Sequence, residues 1–75
     1  MKDLLILIAK NLVDKPESVN VIEEERDGAT VLRLKVDSDD MGKVIGKQGR
    51  IARAIRTLVK AAAINEGVKV NVEII

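Results

Sequence analysis

The chain of 75 residues contains no cysteine, histidine, tryptophan, tyrosine or phenylalanine, and a single proline. Without cysteine there is no disulfide framework, and without cysteine and histidine the common metal sites and nucleophile–imidazole catalysis are excluded. No metal site and no cofactor is therefore expected. The missing aromatic rings have a further consequence: a nucleic acid would have to be held without base stacking on side chains. The short apolar run "LLILIA" cannot span a bilayer, and no cleavage-site pattern follows it, so no membrane insertion is expected. An absence of cysteine fits a cytoplasmic location.

What is present is aliphatic and charged. Val, Ile, Leu and Ala make up nearly all of a 47% hydrophobic content, enough for one small core near the lower size limit of a self-sufficient domain. The formal net charge of +1 conceals a segregation. Residues 41–65 carry Lys43, Lys47, Arg50, Arg53, Arg56 and Lys60 with no acid, whereas the remainder carries seven basic against twelve acidic residues. Such asymmetry predicts one electropositive face on a mildly acidic body.

The periodicity predicts a helix over "KDLLILIAKNLVD", with Leu4, Leu5, Ile8, Ala9, Leu12 and Val13 on one side and Leu7 on the polar side. Pro16 prevents its continuation. "Asp27-Gly28" is a two-residue hairpin signal, and it sets Val21 opposite Leu34, Asn20 opposite Lys35 and Ile22 opposite Arg33. Hydrophobic alternation gives the same register. Ser38 is expected to cap a short helix, with Asp39 and Asp40 favourable at its positive end. A second helix covers about 50–65, with Ile51, Ile55, Leu58, Val59 and Ala62 in one arc and Arg50, Arg53, Arg56 and Lys60 opposite. Gly67 ends it, and "VKVNVEII" closes as a strand. The order α-β-β-α-α-β implies an α+β two-layer sandwich: a three-stranded mixed sheet with three helices on one face. The last two strands become parallel neighbours through the helical crossover.

Between the last two helices lies "MGKVIGKQGR". A bare G-x-x-G occurs often by chance, and Gly46 ending one helix while Gly49 opens the next is a sufficient structural account of it. The context adds a functional one. Glycines allow a sugar-phosphate chain to approach the main chain closely, a helix start favours phosphate, and Lys47 and Gln48 lie between them with Lys43 and Arg50 on the flanks. The segment is not a P-loop, which needs four residues between the glycines and a Ser or Thr where Gln48 stands. Nor is Gly42–Gly46 a membrane dimerisation motif, since no long apolar segment surrounds it.

"VIGKQGR" followed by a basic amphipathic helix resembles the KH domain, whose GXXG loop clamps about four nucleotides. The element order is similar to the type II arrangement. Over nearly its entire length, especially "MGKVIGKQGRIARAIRTLVKAAA" and "VNVEII", the chain resembles the small single-domain bacterial KH proteins of the KhpA/YlqC family. The resemblance implies one KH domain over residues 1–75 with its GXXG loop at 46–49. It implies a cytoplasmic binder of single-stranded RNA, acting in post-transcriptional regulation or as an RNA chaperone. Self-association into a homodimer is implied as well, as is pairing with a larger KH protein of the KhpB/Jag type. Carried onto this chain, the RNA-binding set is Lys43, Val44, Ile45, Gly46, Lys47, Gln48, Gly49, Arg50, Arg53 and Arg56. Phosphates would lie on the turn, and bases in an aliphatic groove lined by Val44, Ile45, Ile55 and a hairpin residue such as Leu34; core packing is the alternative role for these aliphatics. One departure stands out: many KH domains have a branched aliphatic three residues after the second glycine, where this chain has Ala52.

An enzyme is not expected, because no acid–base pair with an orienting partner is discernible. The alternative reading is a protein-interaction module with incidental RNA binding, for which Leu7, Ile22 and Val31 are the apolar contact candidates.

Overall fold

The computed structural model describes residues Met1–Ile75. Its organising feature is the hairpin of β1 (Asn20–Arg26) and β2 (Ala29–Lys35). Asp27 and Gly28 both adopt positive φ, +54° and +79°, the left-handed pair that a type I′ turn requires. That turn sets Val21 against Leu34, Ile22 against Arg33 and Asn20 against Lys35, as the alternation predicts. The third strand, β3 (Val70–Ile74), joins the other side of β2 in parallel, with Val72 against Leu32. The sheet order is β1-β2-β3.

Three helices cover one face: α1 (Lys2–Leu12), α2 (Met41–Ile45) and α3 (Arg50–Asn65). A 3₁₀ turn at Pro16–Ser18 links α1 to β1. The core between the layers is aliphatic throughout, with Leu5, Leu32, Leu34, Val44 and Val59 fully buried. The element order and mixed sheet are those of a type II KH-like α+β fold. No helix is long and apolar enough to cross a membrane.

Helix α3 ends in two interlocking bonds: the Gly67 N–H donates to the Ile64 carbonyl and the Val68 N–H to the Ala63 carbonyl, both at 3.0 Å. With Gly67 at φ +72°, this is the Schellman arrangement expected of a helix stopped by glycine.

Three expectations need correction. The turn Ser38–Asp40 before α2 is capped by Asp37, whose carboxylate accepts from the Asp39 N–H at 2.9 Å, and not by Ser38. On α3 the buried arc is Ala52, Ile55, Val59 and Ala63, while Leu58 is 57% exposed. Small alanines let the helix sit close to its neighbours, which rotates the buried face away from Leu58. Val31, expected on the open sheet face and available for contact, is only 5% exposed. It lies between Glu24 and Asn71 in the register. Beside it the Arg33 guanidinium bridges Glu24 (3.4 Å) and Glu73 (3.1 Å) across all three strands.

Candidate nucleic-acid interface

The turn from Gly46 to Gly49 joins α2 to α3 through an irregular backbone. Gly46 has φ +74° and ψ 174°, a region open essentially to glycine alone. A Cβ there would meet Ile51 Cγ1 at 2.6 Å, so Ile51 fills the space that any side chain at position 46 would need. Gln48 (φ +58°) and Gly49 (φ +73°) follow in the left-handed region. At Gly49 an added Cβ would meet nothing within 4 Å, so that position faces open space. The Gly49 N–H is not free, as its place before α3 suggests, but closes the turn on the Gly46 carbonyl at 3.2 Å.

The basic residues divide sharply. Lys47, Arg50, Arg53, Arg56 and Lys60 are all exposed, and none forms an ion pair. Lys43, included with them by the sequence, is instead paired to Asp14 and reaches Asp40 at 3.5 Å. Its ammonium pKa is raised, first by the hydrogen bond to Asp14. Its charge is thus committed within the protein. Arg56 is committed in another way: its Nε donates to the Val72 carbonyl at 3.2 Å, tying α3 to the outer edge of β3.

That bond distinguishes the two flanks of α3. On the β3 side lie Arg56 and, one turn further on, Lys60. On the other side Arg50, Arg53, Ala54, Thr57 and Leu58 line a shallow hollow of about 480 Å³. Among the aliphatics proposed to line a groove, Val44, Ile55 and Leu34 are buried in the core, and only Ile45, at the end of α2, is accessible at 37%. Ala52 is buried too, and the adjacent Ile51 supplies bulk beneath Gly46.

Asp40 is the buried polar anchor beside the turn's first helix that the sequence does not reveal. It is 1% exposed, and its carboxylate accepts the Lys15 N–H at 3.0 Å and the Asp14 N–H at 3.3 Å. The start of α2 is thereby fastened to the segment after α1. Burial by itself would raise the Asp40 pKa, but the two N–H bonds and the Lys43 ammonium outweigh it and hold the carboxyl below its ordinary value. Lys15 completes the cluster on Asp39 (3.0 Å) and Asp37 (3.6 Å), its pKa raised by the hydrogen bond to Asp39 first and the charge of Asp37 second.

Fold and turn together define a small α+β domain of the type II KH kind, carrying a glycine turn and a helix with unpaired cations. The family model described as "KhpA/KhpB, KH domain" matches residues 2–74. Relatives named "RNA-binding protein KhpA" match end to end. The Clostridium perfringens protein is 65% identical over 75 residues, covering all of both chains. The Bacillus subtilis protein is 51% identical over 74 residues, covering 99% of this chain and 91% of its own. The Chlamydia trachomatis protein is 47% identical over 74 residues, covering 99% of this chain and 95% of its own. The chain belongs to the KhpA/KhpB family of KH domains. Among solved structures, Aquifex aeolicus Era bound to GDP and AlF4⁻ aligns with a TM-score of 0.64 at 19% identity, over 97% of this chain and 28% of that one; this likeness concerns the fold alone.

Proposed function

We propose that this chain binds single-stranded RNA in the cytoplasm, seating the sugar-phosphate backbone on the Gly46–Gly49 turn. Lys47 and Gln48 supply a charge and an amide at the turn, Arg50 and Arg53 extend the positive field along α3, and Ile45 offers aliphatic surface to a base. Val44 and Ile55 support the groove from the core, and Lys43 supports the start of the loop. The observation that carries the reading is the row of exposed, unpaired cations leading away from a turn whose Gly49 faces open space. Membership of a family whose relatives are named RNA-binding proteins supports it. A role in post-transcriptional regulation or as an RNA chaperone is what such binding would serve.

The test is the double variant Lys47→Asp/Gln48→Asp, which places two carboxylates where phosphate would lie. Both positions are exposed, so the circular dichroism melt should be retained while RNA affinity falls about tenfold or more. Undiminished affinity in the folded variant refutes the clamp.

A second reading, assembly with another KH domain, is favoured by Leu7 at 61% and Leu58 at 57% exposure and by a family that joins KhpA with KhpB. A homodimer, or a pair with a KhpB/Jag-type protein, would bring two short clamps onto one RNA and raise avidity through effective concentration. Sedimentation across the micromolar range measures it, with a dimer expected.

A further inference from the structure

The far end of α3 presents charge of the opposite sign. Sixteen residues of helix separate it from the glycine turn, about 24 Å. In the hairpin beside it, from Glu23 to Asp27, four acids stand against Arg26 alone. Glu24 is held by Arg26 (3.2 Å) and Arg33 (3.4 Å), and Glu25 accepts from the Thr30 hydroxyl at 2.9 Å. The Glu23 carboxylate has no such partner, and neither has that of Glu66 just past the end of α3. Both line a hollow of about 280 Å³ whose other walls are Met1, Thr30, Val68 and Val70.

The strand beside this hollow has an open edge. In a two-residue hairpin the residues flanking the turn, here Arg26 and Ala29, bond to each other, and every second pair beyond them does the same. The main-chain groups of Glu23 and Glu25 therefore point away from β2, and β1 is the outer strand of the sheet. Bonding across β2 has the same parity: the Thr30 N–H and the Leu34 carbonyl turn to the other side, to Lys69 and Ile75. Val21 is only 2% exposed, so its edge is covered by the fold. Glu23 and Glu25 are exposed. Two N–H and two C=O groups thus face solvent on an edge flanked by carboxylates.

We propose that this edge receives an extended basic segment of a partner protein, which adds a fourth strand beside β1 and sends a lysine or arginine into the hollow. In strand addition the main-chain bonds give affinity and alternate side chains give specificity. A side chain opposite Glu23 lies on the helix-covered face of the sheet. There its aliphatic stem meets Met1, Val68 and Val70, and its charge meets Glu23 and Glu66. On the other face Ile22, 42% exposed, takes an aliphatic neighbour. A second copy is the wrong occupant, because β1 against β1 sets glutamate beside glutamate. The same carboxylates repel RNA.

The probe is a capped heptapeptide of alternating lysine and valine, titrated into the whole chain at low salt. Hydrogen exchange followed by NMR should show the Glu23 and Glu25 amides slowed about tenfold or more at saturation, with the Lys47 and Gln48 amides unchanged. The variant Glu23→Gln/Glu66→Gln alters two exposed, unpaired side chains and should keep the melt while weakening the peptide about tenfold. N-methylation of the peptide residues that face β1, either all the lysines or all the valines, should abolish binding, and methylation of the other set should not. Binding that leaves both amides exchanging at the free rate, or that ignores the variant or treats both methylated peptides alike, is charge attraction without a site and overturns the proposal. No binding overturns it as well. Protection of the two amides that grows with protein concentration in the absence of peptide would assign the edge to a second copy instead.

Discussion

Lys43 and Lys47 are four residues apart in sequence and have opposite fates. Around Lys43, charges are consumed: Asp14, Lys15, Asp37, Asp39 and Asp40 all bond within the cluster. From Lys47 onward no cation has an acidic partner, although the helix carries them in quantity. The first region uses electrostatics to hold α1, α2 and the turn in register. The second leaves its field open to solvent, where a polyanion can neutralise it. Similar residue types are paired on one side of Gly46 and left unpaired on the other, and the difference lies in whether acids were placed within reach.

The comparison breaks most severely at the boundary itself. Gly46→Ala imposes a disallowed backbone and a clash with Ile51, and together these should cost about 2–5 kcal/mol. Denaturant unfolding measures it, and Ile51→Ala in the same chain should recover the steric part as a favourable coupling. Next in size is Asp40→Ala, which strands two N–H groups and lowers the melting temperature by roughly 5–15 °C. The sign of its pH dependence follows from the depressed pKa. The contribution is present above the unfolded value, about pH 4, and is lost as pH falls through the folded one. Acid titration of Asp40→Asn should accordingly show a flatter fall below pH 4 than wild type.

Gly49→Ala is the milder contrast to Gly46. Its φ is equally left-handed, but open space surrounds it, so stability should drop by only about 1 kcal/mol. If the proposed clamp holds, RNA affinity should drop more than stability does, because the new methyl would stand where the sugar-phosphate backbone is seated. The smallest effect is that of Arg53→Gln. It should leave the melt unchanged and reduce the log–log salt slope of RNA binding by about 0.7, to a similar degree for several sequences. A loss restricted to one sequence would mean that Arg53 reads a base.

Much of the fold was legible because its signals are local. Asp27-Gly28 specifies a turn, the turn specifies a register, and alternation along both strands agrees with it. The unpaired helix cations were legible for a similar reason, since no acid lies near them in sequence. What escaped depends on distance. "DSDD" looks like a helix start, and nothing within it indicates that Asp40 turns inward to amides 25 and 26 residues earlier. The loss of Lys43 to Asp14, 29 residues away, is hidden in the same way. The helical wheel of α3 placed Leu58 inward because it weighs hydrophobicity. Close packing preferred Ala52 and Ala63. The demand for glycine at 46 was visible as flexibility, but its steric cause, Ile51, is a contact that only the folded turn makes.

The parallel pairing of β2 with β3 has a kinetic consequence. The hairpin closes over two residues, whereas the Arg33–Glu73 contact joins positions 40 apart, and such a long loop is expensive to close before its contacts form. Folding should then begin with the local hairpin and helices, and β3 should dock late. Weakening β3, for example by Val72→Ala, would act chiefly on the unfolding rate and leave the folding rate nearly unchanged. Since Arg56 of α3 also bonds the Val72 carbonyl of β3, the last part of the molecule to settle is one that a helix cation holds, and losing that bond should speed unfolding more than it slows folding.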